Sequence, residues 1–550
     1  MNNLHLYFIK RLCGILFLQP FFLLVPAQVN QPALPVSDYL SKAWVADNGD
    51  GTYKNPIIDA DYSDPDVIRV GDDYFMIASS FDAVPGLPIL HSKDLVNWSI
   101  IGHALDKQIP VDHFSGTQHG NGVWAPAIRY HNDLFYIYYP DPDYGIYLTK
   151  AKNITGPWTQ PVLVEAGKGL IDPCPLWDDD GKVYLIHAYA GSRAGIKSVL
   201  IIKRLNVGGD KVIDKGVIVY DGHENDPTIE GPKLYKHKGY YYIFAPAGGV
   251  TNGWQVVLRS KNIYGTYERK VVMNQGSTTI NGPHQGAWIT TQSGEDWFIH
   301  FQDKGAYGRV VFLEPMIWKD KWPVIGFDKD SIGKGEPVLT YRKPNVGKQY
   351  PICSPQETDE FDDSLGLQWQ WQANPKSTWS RVSNGALRLF AIKMPDTAKN
   401  FWDVPNVLLQ KFPAEEFTVT TKLSFNPANK KEKTGLIIMG SNYAYIFLEQ
   451  TKDGLSLGYT ICNHADKGAK ELEAILENNI SSTVYFKVAV TKAAACSFSY
   501  SEDGVQYKPV TMPFTAVPGK WIGAKVGLFC TAATQTNGNG YVDIDWFRVD

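Results

Sequence analysis

The chain has 550 residues and a formal net charge of −4, so it is long enough for two to four domains with large buried cores. A sequence pI near 6.3 lacks the basic surplus that nucleic-acid binding requires, and we exclude a nucleic-acid partner. The 16 Trp, 30 Tyr and 25 Phe residues are typical of strand-rich cores.

The N-terminus has the pattern of an export signal. Two basic residues precede an apolar run at positions 12–25, which ends in small residues around Ala27. The run is too short for a comfortable membrane span, and Cys13 lies at its start rather than its end, which argues against a lipid anchor. We predict a signal peptide over residues 1–27, export to the periplasm or the medium, and no membrane insertion.

Five cysteines remain after the predicted cleavage. They are Cys174, Cys353, Cys462, Cys496 and Cys530. Their odd number and their spacing fit neither a disulfide framework nor a zinc site. We interpret them as buried free thiols, with one disulfide in the C-terminal half as the alternative.

A proline-centred unit recurs along the first part of the chain. Pro65, Pro126, Pro173, Pro232 and Pro283 are separated by 61, 47, 59 and 51 residues. A polar turn and an aromatic strand follow each proline, and no long amphipathic helix is evident. Each unit is long enough for about four strands. Five such units predict an all-β fold that begins with a five-bladed β-propeller, over residues 28–345.

Three of these units place a carboxylate just before the proline. Asp64, Asp172 and Glu230 occupy near-equivalent positions, with Glu230 offset by one residue. Because the first strand of each blade lines the propeller axis, we expect them to converge there with Trp124 and His284 from the other two units. Asp-Pro is also a common turn dipeptide, but recurrence at one position of a repeat favours a functional interpretation.

Converging carboxyl groups are suited to one kind of chemistry. Hydrolysis of a glycosidic bond uses a protonated carboxyl that donates to the leaving oxygen and an ionised one that activates water. Placing several acids at one axis would raise the pKa of the proton donor, because a neighbouring negative charge makes a carboxyl hold its proton more tightly.

The blade motifs resemble those of glycoside hydrolase family 43, whose members are β-xylosidases, α-L-arabinofuranosidases and arabinanases. The resemblance is carried by NPIIDADYSDPDVIRVGDDYFMIASSF, PGLPILHSKDLVNW, VWAPAIRY, GLIDPCPLWDDDGKVYL and IEGPKLYKHKGYYYIFAP. It implies that Asp64 is the general base, Asp172 the modulator of pKa and Glu230 the general acid, in a reaction that inverts the anomeric configuration.

The same resemblance implies the residues of the sugar subsite. Phe81 and Trp124 would wall it, Arg309 would lie near the sugar, and His284 would help to hold a metal ion or water at the axis. No cofactor is required, and Ca²⁺ in a structural role is the metal that the resemblance implies. The alternatives are core packing for the aromatic residues, a hydrogen-bonded core position for His284 and a surface ion pair for Arg309.

A second domain follows a proline-bracketed linker. We predict the linker at residues 346–355 and a β-sandwich, a concanavalin-like jelly roll, over residues 356–550. The opening DEFDDSLGLQWQWQANP resembles the domain that follows the propeller in β-xylosidase-type members of the family. That resemblance implies that a loop from the sandwich reaches the rim of the active site.

Some residues of this second domain have two interpretations. Trp369, Trp371 and Trp379 form either a carbohydrate-binding platform or, more commonly for alternating residues in a strand, part of the core. Asp362 and Asp545 are candidates for a separate calcium site.

Together these observations predict an exported, exo-acting, inverting glycosidase that removes terminal α-L-arabinofuranosyl and/or β-D-xylosyl residues, with a slight preference for arabinofuranose. Its partner would be a plant cell-wall glycan of the arabinoxylan, arabinan or xyloglucan type. A non-catalytic glycan-binding protein and an arabinanase or fructanase are the alternatives. The fructanase alternative is weakened because Ser63–Val67 reads SDPDV, where that group has Asn-Asp-Pro-Asn-Gly.

Overall fold

The computed structural model describes residue 1 and residues 34–534, 538 and 540–550. The predicted signal peptide lies outside the described residues, apart from Met1. Within the described part of the chain, no helix is long and apolar enough to cross a membrane. Helical structure there is limited to one short α-helix and single 3₁₀ turns: α1 (Gly191–Ala194), and His113–Ser115, Gly305–Tyr307, Phe401–Asp403, Ala465–Lys467 and Lys492–Ala494.

A short strand, β1 (Thr52–Lys54), precedes five antiparallel four-stranded sheets, which are the blades of a five-bladed propeller. Blade by blade the strands are β2 (Asp66–Val70), β3 (Asp73–Ile77), β4 (Gly86–Ser92) and β5 (Trp98–Leu105); β6 (Ala127–His131), β7 (Leu134–Asp141), β8 (Gly145–Ala151) and β9 (Val162–Ala166); β10 (Leu170–Trp177), β11 (Val183–Tyr189), β12 (Val199–Leu205) and β13 (Val217–Asp221); β14 (Lys233–His237), β15 (Tyr240–Ala247), β16 (Trp254–Ser260) and β17 (Glu268–Asn274); β18 (His284–Thr290), β19 (Asp296–Asp303), β20 (Arg309–Lys319) and β21 (Trp322–Ile325).

The polar turns recognised in the sequence connect the first two strands of each blade. In blade 2, His131 pairs with Leu134, and both residues between them have positive φ, 47° at Asn132 and 60° at Asp133. This is the backbone of a type I′ hairpin turn, whose twist matches that of the flanking strands, and Asn and Asp tolerate it well. The turn fixes the register of the strands that carry the site residues.

The N-terminal segment closes the ring of blades against the last blade. β1 pairs with β22 (Thr340–Arg342), and the backbones of Ile58 and Val311 exchange hydrogen bonds of 3.4 and 3.0 Å. Side chains of blades 1 and 5 share one hydrophobic cluster there. Blade 1, which carries Asp64, is therefore held firmly against blade 5.

The C-terminal region is a sandwich of two eight-stranded sheets. One sheet contains β23 (Gln370–Trp371), β26 (Ile392–Lys393), β27 (Leu408–Lys411), β29 (Lys433–Met439), β30 (Tyr443–Gln450), β31 (Leu455–Cys462), β32 (Leu472–Asn478) and β37 (Lys525–Ala532). The other contains β24 (Ser380–Val382), β25 (Leu387–Phe390), β28 (Phe417–Asn426), β33 (Thr483–Thr491), β34 (Ala495–Ser501), β35 (Lys508–Pro509), β36 (Phe514–Thr515) and β38 (Tyr541–Val549).

The three tryptophans of the second domain belong to its core. Trp369, Trp371 and Trp379 are 1, 6 and 3% exposed, and they pack in the main hydrophobic cluster of the sandwich. The alternative of a carbohydrate platform at these residues is therefore wrong. The five cysteines of the described chain are all buried free thiols, as predicted.

The propeller and the sandwich interlock. Val84 and Trp371 exchange backbone hydrogen bonds of 3.0 and 2.6 Å, and the side chain of Asn374 bonds both the N–H and the carbonyl of Gln108, at 2.8 and 3.0 Å. Tyr307 of the propeller is part of the main sandwich cluster. The sandwich is therefore packed rigidly enough against the propeller to contribute to a site there.

Candidate active site

One pocket at the propeller axis brings together every site residue predicted from the sequence. Its volume is about 520 Å³, including its open mouth. The lining residues are Asp64, Phe81, Trp124, Ala125, Ile171, Asp172, Glu230, Val250, His284, Gln285, Arg309 and Trp521. Three acids from three blades thus meet in one concave site, as the repeat predicts.

The backbone at the repeated proline explains how the acids are presented. The residue before the proline has positive φ in four blades: 56° at Asp64, 58° at Asp172, 58° at Gly231 and 43° at Gly282. In blade 4 a glycine takes this left-handed conformation, which it adopts at no steric cost. The carboxylate of that blade is therefore carried by the preceding residue, Glu230, which accounts for its offset of one residue.

Asp64 is a buried carboxylate, 4% exposed, surrounded by donors. Its Oδ2 accepts hydrogen bonds of 2.6 Å from the hydroxyls of both Ser63 and Ser79, and its Oδ1 lies 3.4 Å from Nη1 of Arg309. An ionised carboxylate is an acceptor only, and each of these contacts satisfies that form. These surroundings suit the role of a base.

Asp172 is even more enclosed, at 2% exposed. Burial first, and then the charges of Glu230 and Asp64, raise the pKa of its carboxyl from 3.8 to about 8. Its Oδ2 accepts a 2.7 Å hydrogen bond from the backbone N–H of Gly231, the residue after Glu230. Asp172 therefore holds the backbone that carries Glu230 and keeps a proton in the site at neutral pH.

Glu230 is the accessible member of the group, because its side chain is 31% exposed whereas that of His284 is 1% exposed. Its Oε1 lies 2.9 Å from Nε2 of His284, and its backbone N–H donates to the carbonyl of Pro246 at 3.1 Å. The glutamate is fixed at both ends and open to a ligand, which suits a proton donor.

Arg309 belongs to the site and not to the surface. It is 9% exposed, donates from Nη1 to the hydroxyl of Ser63 at 3.0 Å, and stacks its guanidinium over the ring of Phe301 at 5.0 Å. The surface ion pair proposed as its alternative is therefore excluded.

Two aromatic residues form an apolar part of the pocket lining. The rings of Phe81 and Trp124 meet edge to face at 6.4 Å, and Nε1 of Trp124 donates to the carbonyl of Gly120 at 2.9 Å. Such anchored rings offer a flat apolar surface to the carbon face of a sugar.

Five lining residues were not predicted: Ala125, Ile171, Val250, Gln285 and Trp521. Ala125, Ile171 and Gln285 are direct chain neighbours of predicted residues, so the blade motifs could have indicated them. Trp521 comes from the sandwich, and its ring meets that of Trp124 at 6.0 Å. It confirms that a loop of the second domain reaches the rim, although no local pattern identifies which residue does so.

The surroundings of His284 do not fit a calcium ion held by side chains. Ca²⁺ takes six to eight oxygen ligands, whereas His284 offers a single ring nitrogen, Nδ1, which has no protein partner among the described residues. In the described part of the chain, no group of three or more His, Cys, Asp or Glu side chains could hold a metal. At the second candidate, Asp545 instead pairs with Lys422 at 2.5 Å.

Known proteins show the same two-part organisation. The model of "Glycosyl hydrolases family 43" matches residues 53–323, and that of "Beta xylosidase C-terminal Concanavalin A-like domain" matches residues 358–550. A putative beta-xylosidase of Xylanibacter ruminicola is 38% identical, over 89% of this chain and 88% of its own. The chain belongs to glycosyl hydrolase family 43.

Two further family members extend the comparison. The non-reducing end alpha-L-arabinofuranosidase BoGH43B of Bacteroides ovatus is 30% identical, over 90% of this chain and 94% of its own. The crystal structure of the GH43 protein BlXynB of Bacillus licheniformis superposes with a TM-score of 0.77 at 26% identity, covering 90% of this chain and 99% of that one.

Membership of family 43 settles several predictions. The protein is a glycoside hydrolase with a five-bladed propeller and a concanavalin-like sandwich, so its partner is a carbohydrate. The alternatives of a non-catalytic glycan-binding protein and of a fructanase are set aside.

Proposed function

We propose that this family 43 enzyme removes terminal β-D-xylosyl and/or α-L-arabinofuranosyl residues from glycans, using Asp64, Asp172 and Glu230 with inversion. The observation that carries the proposal is the convergence of three carboxylates, each with different surroundings, in one axial pocket. The names of the relatives include both activities, so the slight preference for arabinofuranose drawn from the sequence stays a prediction.

Asp64 acts as the general base in this scheme. The hydroxyls of Ser63 and Ser79 and the guanidinium of Arg309 hold it as an acceptor. It can therefore take a proton from a water molecule as that water attacks the anomeric carbon. Arg309 also places a positive charge in the pocket lining, where it can bind a sugar hydroxyl.

Glu230 acts as the general acid. Its exposed carboxyl can give a proton to the leaving oxygen, while His284 fixes its orientation from the other side. Asp172, which is buried beside it, contributes in two ways: its raised pKa keeps a proton in the site at neutral pH, and its bond to Gly231 fixes the local backbone.

The shape of the pocket favours removal of one terminal sugar at a time. Phe81 and Trp124 wall one side, and Trp521 of the sandwich closes part of the rim. A long polymer needs a groove open at both ends, whereas a walled pocket admits a chain end. This argues against the endo-acting arabinanase alternative.

We also propose that the natural substrate is a plant cell-wall glycan of the arabinoxylan, arabinan or xyloglucan type and that the enzyme is exported. The glycan class is supported by the pentosidase names of the relatives, and export by the charged and apolar pattern of residues 1–27. Mass spectrometry of the N-terminus after expression in a bacterium with a periplasm tests the cleavage site near Ala27.

The activity is tested by nitrophenol release from nitrophenyl β-D-xyloside and nitrophenyl α-L-arabinofuranoside. We expect turnover of at least one of them, and loss of at least about 10²-fold in Asp64→Asn, which keeps the side-chain shape but cannot act as a base. Circular dichroism establishes that the variant is folded. Absence of turnover on both substrates and on xylo- and arabino-oligosaccharides would refute the proposed specificity.

A further inference from the structure

One buried carboxylate outside the catalytic group bridges three parts of the molecule. Asp61 lies three residues before Asp64 and is 3% exposed. Its Oδ1 accepts a 2.9 Å hydrogen bond from the backbone N–H of Arg309 in blade 5. Its Oδ2 accepts another 2.9 Å hydrogen bond from the backbone N–H of Gly523 in the sandwich. Blade 1, blade 5 and the second domain are thus joined through a single side chain.

Both hydrogen-bond partners of Asp61 are connected to residues of the active-site pocket. The side chain of Arg309 contacts Ser63 and Asp64, at 3.0 and 3.4 Å. Two residues before Gly523 is Trp521, which lines the pocket rim. The position of the base and the position of the sandwich wall therefore depend on the same carboxylate.

The sandwich loop and the turn before Arg309 are closely packed around Asp61, so neither segment can shift toward the other without a steric clash. A Cβ atom on Gly523 would lie 2.6 Å from the backbone nitrogen of Gly308, and one on Gly308 would lie 2.5 Å from Cβ of Asp61. The next residue, Ala524, donates its N–H to the carbonyl of Ala306 at 2.7 Å. The loop carrying Trp521 is thus fitted against the turn that precedes Arg309.

We propose that Asp61 is a positioning residue that couples the docking of the sandwich loop to the geometry of the Arg309–Asp64 pair. This inference rests on the proposed function of the pocket. It assigns the second domain a direct part in the reaction, because loss of the bridge displaces Trp521 and Arg309 together.

The variant Asp61→Asn separates this role from general stabilisation. An amide has one acceptor oxygen, and its NH₂ group cannot accept the second N–H, so one of the two bonds is lost while the volume is kept. The contacts of Val84 with Trp371 and of Gln108 with Asn374 still hold the domains together, so the variant is expected to fold.

Asp59→Asn is the matched control. Asp59 is equally buried and lies on the same segment, and it accepts a 3.0 Å hydrogen bond from Lys304, which also pairs with Glu415 of the sandwich. It therefore bridges the two domains as Asp61 does, but it contacts neither Arg309 nor the loop of Trp521 and does not line the active-site pocket.

The experiment compares kinetics and hydrogen exchange in the two variants. With nitrophenyl β-D-xyloside, or the arabinofuranoside if only that is turned over, Asp61→Asn should raise KM about tenfold and lower kcat at least threefold. Asp59→Asn should keep both within twofold. Mass spectrometry should show faster amide exchange in peptides containing Arg309 and Gly523 in Asp61→Asn but not in Asp59→Asn.

Unchanged KM and unchanged exchange in Asp61→Asn, or equal effects in both variants, would overturn the inference. If the parent enzyme has no turnover, the proposed function fails, but the exchange data still decide whether Asp61 holds the two segments. If Asp61→Asn does not fold, amide exchange in the parent enzyme takes its place: the N–H groups of Arg309 and Gly523, both bound by Asp61, should exchange at one common rate, and clearly different rates would overturn the inference.

Discussion

Asp64 and Asp172 occupy a backbone conformation that favours glycine, with φ of 56° and 58°. Aspartate is among the few side chains that tolerate this conformation, so it can present a carboxyl group there. In the equivalent position of blades 4 and 5, Gly231 and Gly282 have no side chain. Blades 1 and 3 therefore direct a carboxyl group from this position, which fits a role for the two aspartates at the axis.

The raised pKa of Asp172 predicts how stability varies with pH. Burial raises this pKa from 3.8 to about 8, so the folded protein binds the proton more tightly than the unfolded chain. The group therefore lowers the free energy of unfolding progressively as the pH rises from about 4 to 8, by at most about 1.4 kcal/mol per pH unit.

Asp172→Asn removes this pH-dependent loss of stability, because an amide does not ionise. The unfolding temperature of the variant relative to the parent should increase steadily between pH 5 and pH 8, as measured by calorimetry in matched buffers. The other titrating groups are the same in both proteins, so their effects on the unfolding temperature cancel in the difference. A difference independent of pH would show that Asp172 is ionised throughout this range.

The loop before β37 is the element that completes the pocket. It presents Trp521, which has φ of 65° and is 43% exposed, to the ring of Trp124. A tryptophan with positive φ at an exposed position gains little for the fold. Its position at the rim would allow the ring to contact a ligand in the pocket.

Trp521→Gly should accordingly weaken substrate binding without harming the fold. Glycine suits the positive φ, so we expect an unfolding temperature within a few degrees of the parent. We expect a KM about tenfold higher on nitrophenyl β-D-xyloside, equivalent to roughly 1.4 kcal/mol of lost contact. Lys520→Ala, in the same loop but outside the pocket lining, is the control. An unchanged KM in Trp521→Gly would show that the ring does not contact the sugar.

Repetition is what made the blades and three acids predictable from the sequence. Each unit repeats a proline, a polar turn and an aromatic strand, and equivalent positions of a propeller face one axis, so Asp64, Asp172 and Glu230 could be placed together. Trp521 and Asp61 could not, because they act through contacts between segments more than two hundred residues apart. The choice between the two interpretations of Trp369 also needed the structure, since alternating tryptophans in a strand favour a core position but do not exclude a platform.

At the scale of the whole molecule, the two domains share a core. Tyr307 of the propeller lies in the main cluster of the sandwich, where its hydroxyl accepts a 2.7 Å hydrogen bond from the N–H of Ala494 and donates to the carbonyl of Thr491 at 3.3 Å. Separation of the domains would expose this buried ring to water and leave a cavity in the core of the sandwich.

Thermal unfolding should therefore be a single transition for both domains. In Tyr307→Ala we expect a lower unfolding temperature and separation into two transitions, because truncating a buried aromatic residue costs about 3–5 kcal/mol. Calorimetry measures both. Two resolved transitions in the parent protein would show that the interface does not couple the domains.

The most direct test of the whole account compares two substrates in two variants. Glu230→Ala and Asp64→Ala are measured on xylobiose, whose leaving group needs a proton, and on nitrophenyl β-D-xyloside, whose leaving group does not; arabinofuranobiose and the aryl arabinofuranoside replace them if that is the sugar turned over. The account predicts that Glu230→Ala loses about 10²–10⁴-fold in kcat/KM on the disaccharide and far less on the aryl glycoside. It predicts that Asp64→Ala loses activity on both alike. Equal losses on both substrates in Glu230→Ala, with a mild effect in Asp64→Ala, would contradict the assignment of acid and base.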